Sequence, residues 1–299
     1  MNARIAAEGK AANVDQAAGL RRMTAPKPVR VLAVTSGKGG VGKSSVSVNL
    51  AVSLAGAGNR VMLMDADLGL ANIDVLLGLT PRYNLSHVIE GQVGLEEILL
   101  RGPEGISIVP AASGTKRMAE LSPAENIGLI NSFSDLSDDV DYLIVDTAAG
   151  IADSVISFSR AAHEVLVVVC DEPSSLTDAY ALIKVLNRDF GVGRFHVVAN
   201  MVSGPQQGRE LYQKLVRVCD RYLDVRLEHV GSVPMCERLR AAVQKQRPVV
   251  SMYPGSPSAK AFADLGKTLD RLPAPSAAEG HLQFFVERMI RYSQNMVGS

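Results

Sequence analysis

The chain has 299 residues, 31 basic and 31 acidic side chains, and no tryptophan. This length suffices for one sizeable core. A formal net charge of zero argues against bulk electrostatic adhesion to nucleic acid, but it does not exclude a local basic patch. The three cysteines are scattered without C-x-x-C spacing, which indicates reduced thiols in a cytosolic protein. The sequence has no early apolar segment and no long apolar run, so we expect neither a signal peptide nor a transmembrane span.

Residues 1–28 are predicted to form a loosely held basic arm. Basic side chains outnumber acidic ones there, and Pro26 and Pro28 close the segment. Residues 13–23 combine a capping Asn13 with apolar residues on one side, which predicts a helix too short to be stable alone in water. A helix that folds only against a partner suggests a binding arm.

A phosphate-binding loop is predicted at residues 36–44, which read Ser-Gly-Lys-Gly-Gly-Val-Gly-Lys-Ser between an apolar run and a helical pattern. Glycines let backbone N–H groups close around an anion, and the helix N-terminus adds partial positive charge. The pattern predicts that Lys43 contacts the β- and γ-phosphates of a nucleotide and that Ser44 contacts Mg²⁺. The predicted nucleotide-binding residues of the loop are Gly37, Lys38, Gly39, Gly40, Val41, Gly42, Lys43, Ser44 and Ser45.

Strands and helices alternate along the rest of the chain. Apolar runs predict strands at 29–35, 60–65, 105–110, 141–146, 164–170, 195–200 and 227–234. Helical spacing predicts helices at about 45–55, 122–136, 174–190, 206–223, 236–245 and 257–271. The alternation predicts an α/β fold: a single P-loop domain at 29–272 with a doubly wound, mostly parallel sheet and helices on both faces. The ligand is expected at the carboxyl ends of the strands.

The C-terminal segment is predicted to be an amphipathic helix at 281–299, after a linker at 273–280. Apolar residues recur at helical spacing through residues 281–297. Three alternatives are open for this stripe: docking on its own domain, binding another protein, or lying on a membrane surface. The two flanking arginines, Arg288 and Arg291, supply little positive charge for an electrostatic anchor on a membrane.

Acidic residues end two of the predicted strands, at the edge where phosphates are expected. Asp65 and Asp67 end the second strand, and Asp146 ends an apolar strand as a Walker B carboxylate should. Asp146 is therefore predicted to hold Mg²⁺ through a water molecule. Asp65 is either structural or a support for the loop that follows it.

The predicted strand that ends at Asn200 argues for adenine. Guanine-specific P-loop proteins use N-K-x-D, whose carboxylate accepts hydrogen bonds from the guanine edge, and here Ser203 stands at the Asp position. Asn200 alone can bond the adenine amino group and a ring nitrogen. ATP is therefore the predicted nucleotide.

The form Lys-Gly-Gly-Val-Gly-Lys-Ser resembles the deviant Walker A loop of ParA/MinD ATPases, and the resemblance covers nearly residues 30–270. It implies that Lys38 reaches across an ATP-dependent homodimer to the partner's nucleotide, and that Asp67 orients or activates the attacking water. By the same resemblance the catalytic set is Asp67, Lys38 and Lys43, and the Mg²⁺ set is Ser44, Asp67 and Asp146. The implied switch residues are Asp65, Asn72 and Gly150, and the Gly150 N–H is implied to sense the γ-phosphate. The implied adenine segment is Pro234, Met235, Cys236 and Glu237.

The N-terminal arm indicates which members of the ParA/MinD family the chain resembles. Residues 15–21, Asp-Gln-Ala-Ala-Gly-Leu-Arg, resemble the D-Q-A-x-x-L-R activator motif of FlhG/FleN proteins. The resemblance implies that Asp15, Gln16, Leu20 and Arg21 stimulate the GTPase FlhF, with Gln16 entering its catalytic site. It also implies control of flagellar number, restraint of the transcription regulator FleQ and slow regulatory ATP hydrolysis. The implied location is the cytoplasm, with peripheral contact at the inner membrane or cell pole through residues 281–297 as an extension.

Three other functions are alternatives. A ParA- or MinD-like ATPase would position other cargo, such as DNA or the division site; neutral charge and the arm weigh against DNA, and we expect no specific direct DNA binding. A nitrogenase-type iron protein needs a cluster cysteine near the Walker B strand, and no cysteine occurs between Asp146 and Arg160. A ligase of the dethiobiotin synthetase kind would add a substrate pocket to the same core, but Lys38 and the two terminal arms favour a switch.

Overall fold

The computed structural model describes residues 28–67, 72–111, 121–136, 139–275 and 282–297, and these contain one eight-stranded sheet. Its strands are β1 (Arg30–Ser36), β2 (Val61–Ala66), β3 (Leu100–Arg101), β4 (Ser107–Val109), β5 (Tyr142–Ala149), β6 (Glu164–Val169), β7 (Arg194–Val202) and β8 (Arg226–Pro234). The order across the sheet is β3-β4-β2-β5-β1-β6-β7-β8. Neighbouring strands run parallel except β3 and β4.

Helices connect the strands and cover both faces of the sheet. They are α1 (Lys43–Gly56), α2 (Ile73–Leu77), α3 (Leu85–Ile89), α4 (Leu95–Ile98), α5 (Pro123–Asp135), α6 (Asp153–Ala161), α7 (Pro173–Arg188), α8 (Pro205–Tyr222), α9 (Glu237–Gln244), α10 (Val249–Met252), α11 (Pro257–Asp270) and α12 (Leu282–Val297). Ser122 caps α5 and Ser256 caps α11, each by accepting a backbone N–H bond, and each is followed by proline at the first helical position. These local signals fix where both helices begin.

The core lies on the two faces of the central strands. Side chains alternate along β1, so that Leu32 and Val34 pack with α1 and α11 while Val31 packs on the opposite face. On that opposite face, α5, α6 and α12 pack near β2 and β5, and α7 and α8 pack near β6 and β7. Because both faces are covered, β1 is buried along its whole length, which is why its sequence is almost continuously apolar.

The predicted doubly wound, mostly parallel sheet is confirmed, with the order of strands reversing around β1. The seven predicted strands are all present, with their ends displaced by two residues or fewer except at β5, which runs on to Ala149. Helix α6, the short helices α2, α3, α4 and α10, and the edge strand β3 were not predicted. Helix α6 is hard to recognise because Ser157 and Ser159 are buried in it beside Phe158, which blurs its apolar pattern.

Helix α12 packs on α5 and α6 of its own domain, so the structure shows the first of the three alternatives for the C-terminal segment. Its apolar stripe is buried at Leu282, Phe285, Val286, Met289 and Ile290. The guanidinium of Arg160 on α6 lies 3.8 Å from the ring centre of Tyr292 and 4.1 Å from that of Phe190, which ties α12 to the domain by cation–π contacts. Among the described residues, no helix has the length and apolar character needed to cross a membrane.

Candidate functional site

A cavity of about 760 Å³ opens at the carboxyl edge of the sheet. It lies where β1, β2, β5, β7 and β8 end, as expected for a doubly wound fold. The wall includes much of the phosphate loop together with Asp67 and Asn72, and the other side is formed by Met201, Met235 and residues of α9. Strand ends, the phosphate loop and α9 therefore surround one space.

The phosphate loop joins β1 to α1 in the conformation that its glycines allow. Gly40 and Gly42 both have φ of 82°, and Gly42 immediately precedes α1. Such left-handed backbone is easy only for glycine and lets the loop turn its N–H groups inward. Gly37 serves a different need, because a Cβ atom there would lie 2.1 Å from the backbone carbon of Asp178 on α7. Helix α7 thus fixes the beginning of the loop.

Lys43 is held in a buried ion pair. Its Nζ lies 2.9 Å from Oδ1 of Asp146, and the two side chains are 7% and 0% exposed. The hydroxyl of Ser47, one helical turn after Lys43, donates to the same Oδ1 at 2.7 Å. Oδ2 of Asp146 is buried and has no hydrogen-bond partner among the residues that the structure describes. The Walker B carboxylate therefore keeps one oxygen that a hydrated cation could bind.

Lys38 pairs within its own chain. Its Nζ lies 2.6 Å from Oε2 of Glu172 and 2.9 Å from Oγ of Ser174, at the start of α7. The hydrogen bond to Glu172 raises the pKa of the Lys38 ammonium above its ordinary value. Both charged side chains are partly exposed, at 37% and 57%. The lysine is thus a cation at the mouth of the cavity, restrained by a contact that water can replace.

Asp65 organises the loop after β2. Its Oδ1 accepts the Asp67 N–H at 3.1 Å, and its Oδ2 accepts the N–H groups of Asn72 and Ile73 at 3.0 and 3.1 Å. Burial raises the pKa of Asp65 to about 6, although these three N–H groups favour its charged form. Of the two roles left open for Asp65, the geometry favours loop support. Residues 68–71 lie outside the described residues.

Asn200 connects the phosphate loop to the far side of the cavity. Its Nδ2 donates to the Val41 carbonyl at 2.7 Å. Its Oδ1 is buried and finds no hydrogen-bond partner in the described part of the chain, and the residue is 2% exposed. Asn200 therefore presents one acceptor for a ligand N–H group and uses its amide to hold the loop.

Most residues predicted for the site line the cavity. They are Lys38, Gly39, Gly40, Gly42, Lys43, Ser44, Ser45, Asp67, Asn72, Asn200, Pro234, Met235 and Cys236. Gly37, Asp65 and Asp146 are not among the lining residues and act through the contacts described above, while the Val41 side chain is buried in the core.

Two predicted site residues are placed differently from what we expected. Glu237 begins α9 and is not among the residues that form the wall. The N–H of Gly150, expected to sense the γ-phosphate, donates to the Ser36 carbonyl at 2.8 Å. A sensing role for Gly150 therefore requires that bond to open. Asp15, Gln16, Leu20 and Arg21 lie outside the described residues.

Sequence reasoning missed Ser47 and the apolar side of the cavity. Ser47 follows Lys43 by four residues on α1, so helical spacing could have placed both side chains near one carboxylate. Leu76, Met201, Leu239, Arg240 and Val243 also line the cavity. Met201 has φ of 56°, which no local pattern signalled. These residues come from elements that only the tertiary fold brings to the strand ends.

The comparison with family models decides the family. Residues 27–270 match the ParA model, described as a NUBPL iron-transfer P-loop NTPase. The chain belongs to the ParA/MinD family of P-loop NTPases. As a member of this family it carries the phosphate loop of an enzyme that uses ATP and Mg²⁺.

Individual relatives and one solved structure show which members of the family the chain is similar to. The chain is 59% identical over 273 residues to the antiactivator FleN of Pseudomonas aeruginosa, covering 91% of this chain and 98% of the relative. It is 33% identical over 267 residues to the flagellum site-determining protein YlxH of Helicobacter pylori, covering 88% and 90%. Among solved structures, the septum site-determining protein MinD of Pyrococcus horikoshii, complexed with Mg-ADP, matches with a TM-score of 0.65 and 26% identity, covering 82% and 97%.

The residues present fit a magnesium nucleotide. Asp146 Oδ2 and Asn200 Oδ1 are two buried acceptors that no described residue partners. Each belongs to a residue that is hydrogen-bonded to the phosphate loop through another atom. A hydrated Mg²⁺ ion suits the first, and an exocyclic amino group suits the second. The loop between them supplies the N–H groups and the ammonium that phosphates need.

Proposed function

We propose that this chain is an ATP-dependent dimerising switch that regulates flagellar number, with ATP and Mg²⁺ as its cofactors. The observation that carries the proposal is the pair of buried acceptors beside the phosphate loop, Asp146 Oδ2 and Asn200 Oδ1. The 59% identity to the antiactivator FleN supports the biological role. In this role the protein is cytoplasmic and hydrolyses ATP slowly.

Four residues contribute to the hydrolytic step: Lys43, Ser44, Asp146 and Asp67. Lys43 exchanges Asp146 for oxygens of the β- and γ-phosphates, while Ser44 and Asp146 hold Mg²⁺, which neutralises phosphate charge when bound. Asp67 on the cavity wall orients the water that attacks the γ-phosphorus. The bond from that phosphorus to the β–γ bridging oxygen breaks, ADP takes the electron pair, and the attacking water releases one proton to solvent as phosphate forms. An Asp67→Ala variant should therefore trap a long-lived ATP dimer; unchanged turnover would remove Asp67 from the mechanism.

Dimerisation depends on Lys38. Reaching a nucleotide in the partner requires Lys38 to leave Glu172, and the partial exposure of both side chains makes that exchange inexpensive. In light scattering with Mg·ATP, the wild type should dimerise, whereas Lys38→Ala should bind ATP and stay monomeric. Lys184→Ala, at an exposed lysine of α7, is the matched control and should dimerise. An ATP-dependent dimer of the Lys38 variant would disprove the role across the dimer.

The partners are an FlhF-type GTPase and a FleQ-type transcription regulator. The arm motif supports the first, with Gln16 entering the GTPase site and Asp15, Leu20 and Arg21 holding the arm in place. GTP hydrolysis by FlhF should rise with the wild-type chain and not with Gln16→Ala, while Lys10→Ala should behave as wild type. ATP hydrolysis by FleQ should fall when the ATP-bound chain is added. Failure of both assays would favour a MinD-like positioning ATPase for other cargo.

ATP-dependent switching does not by itself account for peripheral membrane contact through residues 281–297. The apolar stripe of α12 is buried against α5 and α6, so a membrane could take it only after release from the domain. Vesicle sedimentation with and without Mg·ATP tests this directly. Binding only with ATP would link release of α12 to dimerisation, and no binding in either state would keep α12 on the domain.

A further inference from the structure

Within the described ranges, two hydrogen-bond donors contact the Asp146 carboxylate, and both contact the same oxygen. The Lys43 ammonium lies 2.9 Å from Oδ1, and the Ser47 hydroxyl lies 2.7 Å from it. Asp146 and Ser47 are both 0% exposed, so bulk water does not solvate this contact. When Lys43 moves away, the Ser47 hydroxyl is therefore the donor that remains on the carboxylate.

The Ser47 hydroxyl has one proton and two acceptors within reach. Its oxygen lies 2.7 Å from Asp146 Oδ1 and 3.2 Å from the carbonyl oxygen of Lys43, one helical turn earlier on α1. The bond to the carboxylate is the shorter one, and a charged acceptor makes the stronger hydrogen bond, so the proton goes to Asp146. Ser47 is not among the residues that line the cavity, so a bound nucleotide leaves this hydrogen bond in place.

The proposed function requires Lys43 to leave Asp146 for the phosphates. Asp65 on β2 lies in register with Asp146 on β5, so two buried carboxylates are neighbours once the ammonium has moved. A buried carboxylate without a cation is costly unless hydrogen bonds satisfy it. The Ser47 hydrogen bond therefore stabilises the carboxylate more after Lys43 has left than while the ion pair is intact.

We propose that Ser47 is a positioning residue that lets Lys43 exchange Asp146 for the phosphates of a nucleotide. Its hydroxyl holds Oδ1 of the carboxylate while Lys43 moves, and it leaves Oδ2 for the hydrated cation. Ser47 thus promotes nucleotide binding through Asp146, without touching the nucleotide. Its contribution is largest before Mg²⁺ binds, because the cation then supplies part of the charge balance. This inference rests on the proposed function, since it needs a nucleotide at the phosphate loop.

The test measures binding of a fluorescent ATP analogue to the full-length chain, once in EDTA and once with excess Mg²⁺. In EDTA, Ser47→Ala should bind the analogue about three- to tenfold more weakly than the wild type, because the variant lacks a hydrogen bond to a charged group. With Mg²⁺, the difference should shrink to about twofold or less. An equal loss in both conditions would indicate a general disturbance of the loop and would overturn the proposal.

Three further variants show whether the effect belongs to the hydrogen bond. Ser47→Cys has nearly the same size but is a weak donor, so it should reproduce the pattern of Ser47→Ala without leaving a void. Ser53→Ala is the matched control: it makes the same change on α1 at a buried hydroxyl that no described residue partners, and it should bind as the wild type does. In an Asp146→Asn background, Ser47→Ala should change binding in EDTA by less than about twofold. An effect there as large as in the wild-type background would show that Ser47 does not act through Asp146.

The same measurements separate this inference from the proposed function. If the wild type binds the analogue and Ser47→Ala binds it equally well in EDTA, the role of Ser47 is wrong and the nucleotide site stands. If the wild type binds no analogue in either condition, the proposed function fails, and the role of Ser47 fails with it.

Discussion

The two edges of the sheet carry clusters of charged side chains that differ in balance. At the carboxyl edge, Asp65 on β2 lies in register with Asp146 on β5, so parallel pairing places two carboxylates side by side. The Lys43 ammonium contacts Asp146, while the contacts of Asp65 within the described part of the chain are with backbone N–H groups. At these two strand ends, two carboxylates therefore share one contacting ammonium.

At the amino edge, each carboxylate meets a positive or protonatable side chain. Nε2 of the buried His196 lies 2.7 Å from Glu164, and its Nδ1 lies 3.3 Å from Glu228. Arg194 and Arg226 contact the same Glu228 at 2.9 and 2.7 Å. The three strands β6, β7 and β8 are thus joined across their first residues by complementary charge.

The pKa values of the carboxyl groups move in opposite directions at the two edges. Burial raises that of Asp65 to about 6. Those of Glu164 and Glu228 are lowered, because contacts with His196 and Arg194 outweigh burial. A cluster whose opposite charges balance stabilises the fold. A cluster with unpaired carboxylate charge is instead suited to bind a cation and a ligand.

The largest effect is expected from removing Asp146, which breaks the buried ion pair with Lys43. Asp146→Ala leaves an ammonium that is 7% exposed without its counter-ion, and should lower the free energy of unfolding by about 3–5 kcal/mol in the absence of nucleotide. Urea denaturation of the apo protein measures this. The double variant Lys43→Met/Asp146→Leu removes both charges and should recover most of the loss. A double variant as unstable as the single one would show that the pair is not the cause.

The second effect is a pH dependence that belongs to Asp65. Its folded pKa of about 6 lies above the ordinary value of 3.8, so the folded state binds the proton more tightly. Stability from this group is complete below pH 4 and falls as pH rises through 6, by roughly 3 kcal/mol in total. Unfolding of wild type and Asp65→Asn should be compared between pH 4 and 7. Their difference should change by that amount, and parallel profiles would contradict the shifted pKa.

These two edges also show what sequence alone could predict. The phosphate loop, Asp65, Asp67 and Asp146 were found because a local pattern marks each of them as a loop or a strand end, and parallel strands bring such ends together. Asn200 was found because one position, Ser203, excludes the guanine motif. Local sequence patterns are therefore enough to predict the fold and the phosphate-binding part of the site.

The remaining features depend on contacts that are distant in sequence. Ser47 joins Asp146, 99 positions later in the chain, and Lys38 joins Glu172, 134 positions later. The partner of a charged side chain cannot be identified before the crossovers are fixed. The amino-edge cluster was missed for the same reason. No local sequence pattern marks His196, and its partners Glu164 and Glu228 lie on the neighbouring strands β6 and β8.

A smaller effect is expected at the balanced edge. His196→Leu removes the group between Glu164 and Glu228 and should cost about 1–3 kcal/mol near neutral pH. Because the lowered pKa values of both glutamates stabilise the fold above their ordinary value of 4.5, this contribution is lost as pH falls below it. The wild type should therefore lose more stability than the variant on acidification below that pH. Nucleotide binding should persist in His196→Leu, and its loss would show that the two edges are coupled.

The smallest effect on stability is expected from the exposed pair of Lys38 and Glu172, where urea denaturation of Glu172→Ala should barely differ from the wild type. Its effect on assembly should be visible, because Lys38 would no longer have to leave a partner in its own chain before reaching another. With saturating Mg·ATP, the dimer dissociation constant should fall by about two- to fivefold in light scattering. Asp178→Ala, a nearby carboxylate on α7 that also favours the Lys38 ammonium, should have a weaker effect in the same direction. A weaker dimer in Glu172→Ala would mean that Glu172 positions Lys38 for its partner instead of restraining it.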